Sequence, residues 1–228
     1  MIRKFIMMSL MLIITLSGCT QITQSDLESA ILASMDDVVD NPNNSLNNMR
    51  KDLYSYYLPR SIGRISSTKL SSVLVSHNTR ILMNLDVIAV LSETYYTETQ
   101  NVLRSFVNKE SALVDVSSFY LDSDFHHIDF SVSVIKISKS KVLLTVQTEY
   151  FIFNSITATA LCPEIVYDML TIARSVKMDK PAILLAYSQR EIINYQKETL
   201  SIFSQIAPES GTVLDMITNS DNPPTEGE

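Results

Sequence analysis

The stretch IDFSVSVIKISKSKVLLTVQTEYFI, residues 128–152, decides the fold of this chain. Its first half alternates apolar residues with aspartate or serine, the segment 138–141 (SKSK) predicts a turn, and the second half alternates again as far as Ile152. Alternation with a period of two on both sides of a turn is typical of antiparallel sheet with one wet face. The phase slips at Val134-Ile135, which predicts a β-bulge there.

Further strands are predicted on the N-terminal side of this stretch. The alternation also covers residues 73–75 and 81–91, and Ser76-His77-Asn78-Thr79 provides a turn between them. Residues 114–120 alternate in the same way and predict another strand. The segment 99–108, TQNVLRSFVN, predicts a short helix.

The N-terminal part of the mature chain reads as helical. Ser25 and Glu28 form a capping-box pattern, and the apolar residues that follow recur at helical spacing, so we expect a helix over 25–39. The asparagine-rich segment 40–48 breaks this pattern. A second helix is predicted from about Leu46 until Pro59 ends it.

The C-terminal part becomes helical again after residue 153. Pro163 suits a first helical position, and the residues behind it present an apolar face up to Val176. Residues 182–187 fit either a strand or the start of a long helix. Ser188 and Glu191 form a second capping box, which opens a helix with an apolar stripe that continues to Ile206.

Helices, then sheet, then helices predict an α+β domain, an antiparallel sheet with the N-terminal and C-terminal helices packed on one face. We expect one domain over residues 25–218, preceded by a short tether at 19–24. The tail 219–228, NSDNPPTEGE, lacks apolar residues, so we expect it to be disordered.

Composition excludes several classes of function. The chain has four glycines and none between Gly63 and Gly211, so it has no glycine-rich loop that could cradle a nucleotide. The net charge of −7 argues against nucleic acid as a partner, because binding to phosphate backbones depends on lysine and arginine. No motif for a cofactor is present, and we expect none to be bound.

The first eighteen residues have the features of a secretory signal. Arg3 and Lys4 form a basic start, residues 5–16 are almost wholly apolar, and small residues lead to Cys19. A transmembrane helix needs about 20 apolar residues, and this run is shorter. We therefore expect residues 1–18 to be removed on export, which takes the net charge to −9.

Leu16-Ser17-Gly18-Cys19 resembles the lipobox of bacterial lipoproteins. The resemblance covers about the first twenty residues and implies that Cys19 becomes the first mature residue, with a diacylglyceryl group on its sulfur. It implies a protein held by acyl chains such as palmitate in the cell membrane or the outer membrane, with its domain outside the cytoplasm. Thr20, which follows the cysteine in place of aspartate, favours the outer membrane where there are two.

Candidate sites in the mature chain are few. His126 and His127 follow Asp124 in the segment DSDFHHID, but adjacent histidines at the start of a strand point to opposite faces, so we interpret the segment as a solvated turn and predict no metal site. Cys162 could act as a nucleophile at a helix N-terminus, although a buried structural cysteine is the preferred interpretation. No catalytic residue is predicted, and paired carboxylates stay open as an alternative.

Two clusters of tyrosines are candidate partner surfaces, because tyrosine offers apolar area with a polar tip. They comprise Tyr54, Tyr56 and Tyr57, and then Tyr95 and Tyr96. The leading hypothesis is a lipid-anchored, non-catalytic component that binds or assembles another envelope protein. The alternative is a lipid-anchored hydrolase that uses aspartate or glutamate, or a metal near His126 and His127.

Overall fold

The computed structural model describes residues 23–41, 45–95, 111–122 and 125–188. Within these residues the helices are α1 (Gln24–Asp40), α2 (Val87–Tyr95), α3 (Cys162–Arg174) and α4 (Lys180–Ser188). The strands are β1 (Met49–Arg50), β2 (Tyr54–Tyr56), β3 (Gly63–Ser67), β4 (Ser71–Ser76), β5 (Thr79–Leu85), β6 (Ala112–Leu121), β7 (His127–Lys136), β8 (Lys141–Thr148), β9 (Phe151–Ala158) and β10 (Lys177–Met178).

Seven of these strands form one antiparallel sheet in the order β3-β4-β5-β9-β8-β7-β6. One face of the sheet supplies most of the core, because alternate residues of its central strands are fully buried there. They include Ile81, Met83, Phe130, Val132, Val134, Leu144, Val146 and Phe153. The α+β prediction is confirmed.

Helices α1 and α3 pack against each other and against this sheet, α1 next to β6 and α3 next to β8 and β9. The predicted stripe of α1 is the buried one, with Leu27, Ile31, Met35 and Val38 in the core. Its cap lies two residues earlier than predicted. Thr23, not Ser25, accepts a hydrogen bond from the backbone of Asp26, and Asp26 bonds back to the Thr23 backbone.

The predicted second helix is wrong, since this segment forms the first two strands of a small sheet with the order β1-β2-β10. The backbone N–H of Lys51 donates to the Tyr54 carbonyl at 2.9 Å, so the chain turns back after two residues of β1. In the two residues of β1 and the three of β2, core and outer side chains alternate. Apolar residues at such a small number of positions are compatible with both helical and strand spacing. The sequence pattern therefore could not distinguish a helix from a strand here.

Two predicted strands end earlier than expected. β5 stops at Leu85, because Asp86 accepts a hydrogen bond from the Ala89 backbone at 3.1 Å at the start of α2. The single strand predicted from Val142 to Ile152 is two strands with a turn at residues 149–150, and β9 continues to Ala158. That turn contains no glycine or asparagine to mark it.

The predicted turn between β4 and β5 is confirmed. His77 and Asn78 both have positive φ, 48° and 57°, as a two-residue hairpin loop requires. The predicted bulge lies in the neighbouring strand, since the register between β7 and β8 is continuous. The extra residue is Leu113 of β6, opposite Val134 and Ile135.

The sheet has two distinct ends. At one end lie the β7–β8 turn and the start of α1, where the side-chain amide of Gln24 donates to the Leu113 carbonyl at 2.7 Å. At the other end lie the β8–β9 turn, the close of β6 and the small sheet. Strand β7 spans the distance between them, about 30 Å for its ten residues. The candidate site is at the second end.

Candidate functional site

A cleft opens between the small sheet, the end of β6 and the end of α3. It consists of two adjacent cavities of about 720 and 700 Å³ that share Asp122, Arg174, Lys177 and Met178 as walls. The first lies over the small sheet, and the second extends along the β8–β9 turn. The position follows from topology, because β10 leaves α3 and pairs with β2 beside the sheet end.

The outer face of the small sheet carries a polar row of three residues from three strands. Arg50 and Lys177 are each directly opposite Ser55 in the antiparallel register. Directly opposed residues point to the same side, and all three side chains line the first cavity. The amide of Asn47 donates to the Ser55 hydroxyl at 3.1 Å and fixes that hydroxyl in place. We name this set the Arg50–Ser55–Lys177 row.

Lys51 lies on the opposite side of β1 from this row and borders the same cavity. Its ammonium donates to the Tyr54 hydroxyl at 2.8 Å, to the Ser71 carbonyl at 2.8 Å and to the Ser72 hydroxyl at 3.3 Å. Burial, together with the nearby charge of Arg64 and against the opposing effect of Asp52, lowers the pKa of Lys51 to about 7. This amine therefore titrates near neutral pH.

The second cavity contains a group that joins three elements. The Lys180 ammonium contacts the Glu93 carboxylate at 2.7 Å, and the Tyr150 hydroxyl donates to the same carboxylate at 2.8 Å. Burial opposes the charge of Glu93, but these two hydrogen bonds prevail and hold its pKa below the usual value. These contacts hold α2 and α4 against the β8–β9 turn. The sequence did not indicate them, because Glu93 and Lys180 are 87 residues apart in the chain.

Exposed apolar side chains lie beside both cavities. Leu46 is 90% exposed and Leu121 41%, and both border the first cavity. Phe125 is 82% exposed next to His126, and Phe119 stacks on His127 with ring centroids 4.2 Å apart. We name these four side chains, Leu46, Phe119, Leu121 and Phe125, the apolar rim. No motif or periodicity in the sequence indicates these four side chains.

The tyrosine cluster predicted at residues 54–57 is not a surface. Tyr54 and Tyr56 point into the core and are almost fully buried, and Tyr54 packs edge-on against Phe151 at 5.0 Å. The correction follows from the strand geometry of β2, in which alternate residues share one face. Tyr57 is partly buried. Tyr96 and the side chain of Tyr95, at the end of α2, lie outside the described residues, as do Asp124 and Cys19.

His126 and His127 do not converge on one point. His126 Nδ1 lies 3.2 Å from the Asp122 carboxylate, whereas His127 Nδ1 lies 3.5 Å from Asp129. Within the part of the chain that the structure describes, no three histidine, cysteine, aspartate or glutamate side chains are grouped so that they could hold a metal ion.

One further cluster brings serine, histidine and aspartate together at the other end of the sheet. Ser76 donates a short hydrogen bond to Asp168, and His77 Nε2 lies 4.0 Å from the same carboxylate oxygen. A catalytic triad needs histidine between the other two, and here the aspartate is central. Burial raises the pKa of Asp168 even though Ser76 and His77 favour its ionised form.

Cys162 is fully buried and is the first residue of α3, so this helix begins one residue earlier than predicted. Burial raises its pKa to about 12, with Glu164 adding to the effect. A thiol with this pKa is a poor nucleophile, which favours the structural interpretation. None of the described helices is long and apolar enough to cross a bilayer.

Comparisons with known proteins give little. No protein-family model matches the chain, and no curated protein matches it. A crystal structure of a protein from Bacteroides thetaiotaomicron VPI-5482 shares 6% identity over 60% of this chain, with a TM-score of 0.28. The match covers about half of that protein, 49%. At this TM-score the likeness does not establish a shared fold.

Proposed function

We propose that the protein is a lipid-anchored, extracytoplasmic component of the cell envelope that binds another envelope protein through the cleft. The observation that carries the binding role is the apolar rim around a polar cleft. Contiguous apolar side chains at a surface mark interaction sites, and aromatic residues are enriched where proteins meet. The sequence Leu16-Ser17-Gly18-Cys19 supports the anchor.

The arrangement of the rim favours a protein partner. Leu46 and Phe125 are almost fully exposed, so a complementary pocket of a partner could enclose each of them, and charged groups line the two cavities beside them. Burying a side chain of this size in a partner contributes about 1.5–3 kcal/mol. His126 and His127 contact different carboxylates and do not converge on one point, so a binding role is better supported than a metal-assisted hydrolase at these residues.

The binding role is tested by site-specific crosslinking in native membranes of the producing cell. Wild-type protein should give one crosslinked product that mass spectrometry identifies reproducibly. Leu46→Ser and Phe125→Ser should each lower its yield by at least fivefold, because each removes an anchor. Ile65→Ser is the matched control, since Ile65 is 53% exposed on the opposite edge strand. Equal yields from all four proteins would contradict the proposal.

The anchor is tested separately by Cys19→Ser. We expect the variant to stay at full length and to incorporate no labelled palmitate. A product that is processed and labelled like wild type would contradict lipidation at Cys19. Because crosslinking is scored per molecule in the membrane, the two tests are independent.

A further inference from the structure

We propose that the Arg50–Ser55–Lys177 row binds a phosphate group carried by the ligand or partner that occupies the cleft. The inference rests on the proposed function, because it assigns a ligand chemistry to the same cleft. The register of the small sheet, the two cations in the cavity and the hydroxyl between them support the assignment.

The register places two cations on either side of one hydroxyl. Arg50 and Lys177 are both opposite Ser55, so their Cα atoms are two strand spacings apart, about 10 Å. Both side chains are long enough to lean over Ser55. An anion seated above the serine hydroxyl can therefore contact the guanidinium and the ammonium together.

The positive charges are available, whereas the negative charges of the same cavity are engaged. Neither Arg50 nor Lys177 has an ion pair or a side-chain hydrogen bond within the described residues. The three carboxylates are held elsewhere. Asp52 lies 4.0 Å from Lys69, Asp122 contacts His126 at 3.2 Å, and Asp179 accepts the Ala182 backbone N–H at 3.0 Å. Among the described residues, neither Arg50 nor Lys177 is paired with a carboxylate, so both can contact an anion that enters the cavity.

The serine hydroxyl completes the site. Asn47 donates to Ser55 Oγ, which uses one oxygen lone pair and leaves the hydroxyl proton free to donate into the cavity. Guanidinium, ammonium and hydroxyl then supply donors from three directions. A phosphate offers three terminal oxygens to match them, whereas a carboxylate offers two. The number and spread of the donors therefore favour phosphate.

The test measures binding of inorganic phosphate to the full chain by isothermal titration calorimetry at constant ionic strength, with chloride as the replaced anion. We expect a dissociation constant in the millimolar range for wild type. Arg50→Gln and Lys177→Gln should each weaken binding about fivefold, corresponding to about 1 kcal/mol for an exposed ion contact. The double variant should show no measurable binding. Lys139→Gln is the charge-matched control and should bind as wild type does.

Three results would overturn the assignment. Acetate binding as tightly as phosphate would indicate a carboxylate site. If Lys139→Gln weakens phosphate binding as much as the row variants do, the effect comes from net charge alone. If Arg50→Gln binds phosphate as wild type does, the Arg50–Ser55–Lys177 row is not the binding site. The source of the phosphate is separated by adding vesicles of phosphatidic acid: binding that depends on the row indicates a lipid headgroup, and binding of inorganic phosphate alone indicates a small ligand.

The outcome is distinguishable from failure of the proposed function. If phosphate does not bind but Leu46→Ser and Phe125→Ser still lose the crosslinked product, the cleft is a binding site with another ligand chemistry. If phosphate binds through the row and the rim variants crosslink normally, the site survives and the proposed protein partner does not.

Discussion

Replacing Lys51 with methionine should remove the pH dependence of stability that the buried Lys51 ammonium gives the wild-type protein. Burial lowers the pKa of Lys51 from 10.5 to about 7. Between these two values the folded protein binds fewer protons than the unfolded chain, so the free energy of unfolding of wild type rises with pH. Each pH unit contributes at most about 1.4 kcal/mol, so the gain from pH 7 to pH 9 is at most about 2.7 kcal/mol.

Methionine keeps the apolar stem and removes the titrating amine. Lys51→Met also loses the hydrogen bonds to Tyr54, Ser71 and Ser72, but this offset cancels when only the change with pH is compared. The window stops at pH 9, because Cys162 begins to contribute above that value. Its pKa is raised to about 12, so its contribution has the opposite sign and is lost as pH rises from 9.

The assay is urea unfolding followed by circular dichroism at half-unit steps of pH, for wild type, Lys51→Met and Lys139→Met. Lys139 is exposed in the β7–β8 turn, so its variant controls for the loss of a lysine as such. We expect the difference between wild type and Lys51→Met to grow with pH, and the difference from Lys139→Met to stay flat. A Lys51→Met difference constant within about 0.5 kcal/mol would show that the amine keeps its proton and that burial does not control it.

Three further predictions concern the rest of the fold. In a Cys19→Ser background, Cys162 should resist Ellman's reagent at pH 8 in the native protein and react fully in urea; fast native labelling would contradict a buried thiol with raised pKa. Asn78→Ala should lower the free energy of unfolding by about 1 kcal/mol, and Asn78→Gly should not, because only the alanine is strained at a φ of 57°. The pKa of Asp168 is raised, so the free energy of unfolding of wild type should fall as pH rises above 3.8, the ordinary pKa of aspartate. In urea titrations, Asp168→Asn should abolish that fall. If the free energies of unfolding of the two proteins change in parallel with pH, the prediction is contradicted.

The sequence predicted those elements whose own periodicity is long enough to be unambiguous. The alternation of apolar and polar residues covers most of β7, and the apolar stripe of α1 extends over several helical turns. Both elements are present in the structure. The β4–β5 turn was predictable because His77-Asn78 suits positive φ and is flanked by apolar alternation. These features are local.

The missed features depend on contacts between distant residues or on very short elements. The small sheet has strands of two and three residues, too short for any period to show. Its third strand comes from a segment more than 120 residues later, so nothing near Arg50 indicates that Lys177 will lie across from it. The tyrosines of β2 were assigned to the surface because composition does not reveal which face of a strand is covered.

The two ends of the sheet give the anchored protein a direction. Helix α1 starts beside the β7–β8 turn, and only the residues between Cys19 and Thr23 separate it from the proposed acyl chains. Four peptide steps reach at most about 14 Å, so this pole of the molecule would rest on the lipid. The opposite pole, where Leu46 and Phe125 protrude, would then stand about 30 Å or more above the bilayer. In that orientation the cleft would face partners that lie above the membrane surface rather than proteins embedded in the same membrane.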